Sequence, residues 1–375
     1  MEQQSLDDET LEEKEISGEQ CHHPLPLLSS MLENETIRNE ALDKEGSAQI
    51  NSPKSSDGWI PSLFIIKARA LDWILLPWCV VVLHAVIYTI IQENELKEEL
   101  EAANRNFDSW EIFFGIMLNS TLSFLLVFRL NRAAGRFWLA RELWGNLVAK
   151  ARTLTGGILI HAAAEEADVH REEALRWMAA FPLTVMELLR GNQTYPTAVF
   201  AGILTTDQIR QTQRKEHPPL FVGMQIRYHL HEIFRVHADS PVGVALVRAR
   251  QLEHLEGQLN VLLDCCGGME RIRNTPLPMV YVSHLRTFLL LALLIFPYIW
   301  GPTWSWGTIP VVATAAFALL GIEAAASEVE APFQQHRINA LNMDGFCKSL
   351  LSNMQGLMMD HLERNNNNYK MPEQT

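Results

Sequence analysis

Four stretches of this chain are too apolar for a water-facing surface, and they constrain everything else. "WILLPWCVVVLHAVIYTII" (Trp73–Ile91) has one histidine and no charge, and "IFFGIMLNSTLSFLLVF" (Ile112–Phe128) is uncharged until Arg129. "FLLLALLIFPYIW" (Phe288–Trp300) reaches spanning length if Val280–Thr287 continues its helix. "TIPVVATAAFALLGIEAAA" (Thr308–Ala326) holds a single glutamate. A helix needs roughly 20 mostly apolar residues to cross a bilayer core. Any one run alone could be a buried helix of a soluble domain. Four together, with Trp73, Trp110, Trp300, Trp304 and Trp306 near their ends like an interfacial belt, predict membrane spans over about 73–91, 112–128, 280–300 and 308–326.

Charge orients those spans. The connection 92–111 has two basic residues, Lys97 and Arg105, against seven acidic ones, whereas 129–278 holds eighteen Lys and Arg. The positive-inside bias then puts both termini and the large middle region in the cytosol, in the plasma membrane or an organelle membrane. The middle region has apolar residues at three-to-four spacing and no two-residue alternation, which predicts helix throughout and an all-α fold. Residues 1–57 carry fourteen Asp and Glu against four Lys and Arg, the bulk of the net charge of −13. That composition predicts a disordered acidic tail, and the polar end, 364–375, is expected to behave alike, leaving 58–363 as the folded domain. An acidic chain without a basic, aromatic-studded face argues against nucleic-acid binding. No signal or transit pattern opens it. The five scattered cysteines form no disulfide framework.

Chemistry is sparse. His229, His231 and His237, with His217 upstream, raise a metal-dependent membrane enzyme as an alternative. Yet His-x-His on a helix splays its rings apart, and His231-Glu232 lacks the second histidine that a zinc-protease helix requires. No nucleophile elbow or phosphate loop is present, so no reaction, metal or cofactor is proposed. The second span is more informative. Ser120, Phe124 and Phe128 stand at four-residue steps along one helical face, with Asn119, Thr121 and Ser123 adding polar groups. Such groups face protein or a water-filled path. Plain packing by the phenylalanines and bonds between helices by the polar residues is the other reading.

The segment after that span, "FRLNRAAGRFWLARELWG" (128–145), resembles a signature of the bestrophin-like membrane proteins in their microbial and plant branch. It matches at Phe128, Arg129, Asn131, Arg136, Trp138, Arg141, Leu143, Trp144 and Gly145. "ERIRNTPLPMVYVSHL" is similar to a second block through Pro276, Pro278 and Tyr281, with Val282 in place of the usual serine. "EAPFQQHRINALNMD" is similar to a third through Glu330, Pro332, Phe333, Asn339, Leu341 and Asp344, with Gln334 and Ala340 as departures.

The resemblance implies a passive anion channel, chloride among its ions, built as a homopentameric ring around a central pore. It implies a neck at Phe128, Phe124 and Ser120, the serine being a departure from the usual bulkier residue and suggesting a wetter outer neck. It places Arg129, Arg132, Arg136 and Arg141 at the pore mouth, most of them as structural anchors pairing with acidic partners. A second constriction is expected within Gln251–Leu263. The acidic run by which animal members bind calcium is reduced here to Glu328, Glu330 and Asp344, so calcium gating is not expected. The partners implied are further copies of the chain, small anions and the lipid bilayer. A non-conducting membrane scaffold of channel ancestry is the remaining alternative.

Overall fold

The computed structural model describes residues 26–50, 71–95, 108–161, 168–192, 194–236, 240–335, 337 and 339–370. Within them the fold is helical, with no strand. The helices are α1 (Pro26–Glu33), α2 (Glu35–Ile50), α3 (Leu71–Glu95), α4 (Asp108–His161), α5 (Asp168–Arg190) and α6 (Thr206–Gln213). They continue as α7 (Pro218–Ile233), α8 (Val242–Asn274), α9 (Met279–Trp304), α10 (Thr308–Glu330) and α11 (Met343–Lys370).

Two apolar clusters divide the molecule. One is a bundle in which Ile74, Val81 and Ala85 of α3 meet Leu118, Leu122 and Leu126 of α4, Leu285 and Leu289 of α9, and Val312 and Ala316 of α10. The Trp78 indole donates to the Ala313 carbonyl at 2.8 Å, tying α3 to α10. Around this bundle large apolar side chains stay bare, such as Leu76 at 77 % exposure, as expected where the solvent is lipid. The second cluster is a larger body built from α1, α2, α5–α8, α11 and the far part of α4.

Three helices are long and apolar enough to cross a membrane among the described residues: Trp73–Asn94, Met279–Gly301 and Ser305–Glu330. They correspond to three of the four expected spans. The expected span 112–128 is not a helix of its own. It is the first third of α4, a single helix of 54 residues and about 80 Å. One buried stripe runs along α4 at three-to-four-residue steps: Leu118, Leu122, Leu126, Arg129 and Ala133 in the bundle and at its edge, then Ala140, Trp144, Leu147, Ala151, Leu154 and Ile158 in the second body. That repeat keeps one face inward for the whole length. α8 runs antiparallel beside it, with Gln251 Nε2 3.2 Å from His161 Nδ1 at one end and Arg136 bonded to the Ile272 carbonyl at the other.

The two predicted tails are corrected in part. Residues 26–50 are helical, and Leu27, Leu28, Met31 and Leu42 are buried in the second body. The Arg38 guanidinium, 1 % exposed, donates to the carbonyls of Ala201 and Met31. The acidic average of the first 57 residues hides this short apolar stripe, which gains its burial from the rest of the chain rather than from itself. Gly202, at φ +75°, lets the chain pass so close that a Cβ there would meet the Ser30 carbonyl oxygen at 2.3 Å. At the other end α11 continues through Lys370, since extending a formed helix costs far less than starting one. Residues 1–25, 51–57 and 371–375, the loop basic residues Lys97 and Arg105, and His237 lie outside the described residues.

Met31 is fully buried, so Met31→Ala is expected to cost about 2–4 kcal/mol. Thermal unfolding in detergent checks this, and an unchanged midpoint would show that α1 contributes no core packing.

Candidate functional site

The face of α4 opposite its buried stripe carries the predicted neck. Phe124 is 63 % and Phe128 47 % exposed, and Ser120 is exposed with them. The two phenylalanine rings lean on each other, centroids 4.9 Å apart and tilted by 52°. The Thr121 hydroxyl donates to the Met117 carbonyl in its own helix, while Asn119, Ser120 and Ser123 make no bond to another helix among the described residues. Below the phenylalanines the same face continues through Asn131, Arg132, Gly135 and Leu139, which with Arg136 and Leu277 line an open hollow.

The signature arginines behave differently from one another. Arg129 is fully buried and paired with two acids of α10, Glu323 at 3.3 Å and Glu330 at 2.6 Å. Arg136 spends its donors on carbonyls: Glu330 at 3.3 Å, Thr275 at 2.7 Å and Ile272 at 2.5 Å. The second carboxylate oxygen of Glu330 accepts from the Leu277 amide at 3.2 Å. Three blocks far apart in sequence thus close on one glutamate. Arg141 lies 4.6 Å over the Phe346 ring, a cation–π contact. Arg132 is exposed and forms no ion pair among the described residues.

The other signature residues mostly brace this junction. Trp144 is buried beside Phe346, and Phe333 and Asp344 are buried, Asp344 against Arg190 of α5. Pro332 lends its carbonyl to the Leu341 amide at 2.8 Å. Pro276 and Pro278 set the short connection before α9, where Tyr281 packs on the bundle. Gly145 faces the Arg141 side chain, Asn339 is half-buried, and Trp138 is 67 % exposed with an edge contact to Phe137.

Sequence reasoning missed Glu323 and Arg286 as site residues. Arg286 of α9 bonds Glu323 at 2.9 Å and Ser327 at 2.8 Å, so Glu323 is shared by two arginines. A lone acid in an apolar run is itself the signal, because such a charge requires a partner. In the window 251–263 the exposed large apolar side chain is Val261. A denser group, Val242, Leu246 and Val247, stands at the start of the same helix and outside that window.

The histidines do not converge. His229 Nδ1 meets His170 Nδ1 at 3.1 Å, His231 meets Glu256 at 2.9 Å and His217 meets Glu270 at 3.0 Å. Among the described residues no three metal-ligating side chains gather. Burial, and then the neighbouring His170, hold His229 down to about 4 against the weaker pull of Glu232. Its folded value lies below the free one, so its contribution to stability is complete above the free value near 6.5 and is lost as pH falls toward 4.

Two outcomes follow. Arg129→Gln strands Glu323 and Glu330 without their main countercharge and is expected to cost about 3–5 kcal/mol, while Arg132→Gln leaves the unfolding midpoint unchanged. Equal midpoints for the two variants would remove Arg129 from its structural role. The loss of stability between pH 6.5 and 4 should shrink in His229→Gln, and an identical pH profile would contradict the burial assigned to that ring.

A family model described as Bacterial/Fungal Bestrophin protein matches residues 49–356. A protein of Synechocystis sp. called a voltage-dependent anion channel-forming protein is 30 % identical over 259 residues, covering 67 % of this chain and 81 % of its own. A Nostoc sp. protein of the same description is 30 % identical over 253 residues, covering 66 % and 78 %. The fold is similar to a crystal structure of a bacterial bestrophin homolog from Klebsiella pneumoniae, with TM-score 0.62 and 22 % identity over 76 % of this chain and 98 % of that one. The spanning helices, the three converging blocks and these likenesses agree: the chain belongs to the bacterial and fungal bestrophins and is an integral membrane protein.

Proposed function

We propose that the chain is a passive anion channel, with chloride passing along the axis of a homopentameric ring through a neck of Ser120, Phe124 and Phe128. The observation that carries this reading is the two-sidedness of α4. Its leucines fill the bundle, while a row of aromatic and small polar side chains in the same membrane segment is left uncovered. Among the described residues the bundle of a single subunit is packed with side chains. Copies arranged on a symmetry axis would turn that uncovered row into the lining of a path. The names of the cyanobacterial relatives supply the ion class.

In this arrangement the first third of α4 is a fourth span, and both termini with the second helical body lie in the cytosol. Rings of phenylalanine gate by dewetting and turn the positive edge of the aromatic quadrupole to a passing anion. Arg132, exposed beside Phe128 and without an ion pair among the described residues, raises the local anion concentration at the inner mouth. Arg129 and Arg136 hold the helix end in place, bonded within the subunit to α10 and to the end of α8.

Phe128→Ala widens the narrowest apolar ring and should raise single-channel conductance severalfold in planar bilayers, with the assembly mass unchanged. Unaltered currents from intact assemblies would remove Phe128 from the neck, and silence in both proteins would favour a non-conducting scaffold.

A further inference from the structure

A cavity of about 750 Å³ opens where the apolar bundle meets the second body. Its lining includes six arginines, Arg129, Arg136, Arg190, Arg273, Arg286 and Arg337. Four carboxylates pair with them: Glu323 and Glu330 with Arg129, Glu323 with Arg286, Asp344 with Arg190 and Glu328 with Arg337. Two of the six arginines have no carboxylate partner among the described residues. One is Arg136, whose donors are filled by neutral carbonyls. The other is Arg273, exposed and without an ion pair among the described residues. Its guanidinium rests against Gly191, at φ +81°, where a Cβ would approach Arg273 to 2.7 Å. The Arg129 Nη1 is buried without a hydrogen-bond partner.

The occupant must also suit what adjoins this cavity. A second hollow of about 230 Å³ shares Trp73, Arg286 and Ser327 with it. Its other walls are mainly apolar: Pro77 of α3, Leu289 and Leu290 of α9, Leu320 and Ala324 of α10. These belong to three helices of membrane-spanning length. Trp73, 62 % exposed, stands between the two hollows at the start of the first span, where amphipathic rings settle at headgroup depth. A free anion would satisfy the basic cavity and leave the apolar slot unused. A phospholipid with a net negative headgroup satisfies both.

We propose that this composite cavity is a binding site for an anionic phospholipid. The phosphate lies against Arg273 and Arg286, and the upper part of an acyl chain lies in the slot between α3, α9 and α10. Basic pockets between spanning helices recognise such headgroups through charge-assisted bonds. The site touches the Arg286–Glu323–Arg129 network that anchors the end of the neck helix, so an occupied cavity braces the same junction from outside.

Native mass spectrometry of the full-length protein in detergent tests the site without any current, so the outcome is independent of whether the chain conducts. Phosphatidylglycerol should be retained in preference to phosphatidylcholine of matched chains. Arg273→Gln, a change at an exposed residue, should weaken phosphatidylglycerol retention about tenfold. Arg273→Lys should recover part of it, and Arg250→Gln, at a side chain 76 % exposed on α8, should bind as the parent does. Equal retention of the two lipids, or unchanged retention in Arg273→Gln, would overturn the proposal. Displacement of the lipid by an equal concentration of glycerol phosphate would also overturn it, by assigning the site to a free phosphate.

Discussion

A fully enclosed guanidinium, that of Arg129, stands one residue after the last phenylalanine of the exposed row on α4, and the surrounding structure has to compensate it. Removing a charge from water costs several kcal/mol before any pairing is counted. Here Glu323 and Glu330 supply the countercharge, Ser327 adds a longer bond at 3.5 Å, and Arg286 shares Glu323. A buried ion pair adds little net stability compared with a well-packed apolar group, but it is unforgiving of register. If α10 slid by one turn against α4, both acids would lose their contact with Arg129. The pairing therefore fixes the height of α4 relative to α10, and with it the height of Phe124 and Phe128 against the apolar bundle.

Glu330 carries that constraint into the second helical body. One of its carboxylate oxygens takes Arg129, the other takes the Leu277 amide, and its carbonyl takes Arg136. Arg136 in turn closes the C-terminal end of α8 by bonding the Ile272 and Thr275 carbonyls, the groups a helix terminus leaves unsatisfied. The junction between membrane bundle and helical body is thus built from polar bonds at one level, and α4 crosses it as one unbroken rod. The phenylalanine face and the packing surface for α8 and α11 therefore lie on one helix, without an intervening loop.

Much of this was legible from residues alone. The spans 73–91, 280–300 and 308–326 are legible because uncharged runs of that length have few other uses, and the phenylalanine face because a four-residue step is a helical step. The family resemblance also implies acidic partners for Arg129 and the arginines that follow it. Which acid was not legible: Glu323 and Glu330 lie about 200 residues downstream and meet Arg129 only through packing. The helix pair at residues 26–50 was missed for a different reason. Its stripe of Leu27, Met31 and Leu42 is short, its surroundings are acidic, and its stability resides in a surface assembled by later segments. The window 251–263 for a second constriction rested on likeness alone, and burial of alternate turns of α8 against α4 leaves Val261 as its exposed large apolar side chain.

The proposed neck of the anion path is an exposed aromatic face positioned by a buried arginine. The most direct measurement is the reversal potential of the purified full-length protein in a planar bilayer under a potassium chloride gradient. An anion path gives a reversal close to the chloride equilibrium potential. A reversal at the potassium equilibrium potential, or no current at any voltage from well-assembled particles, would contradict it.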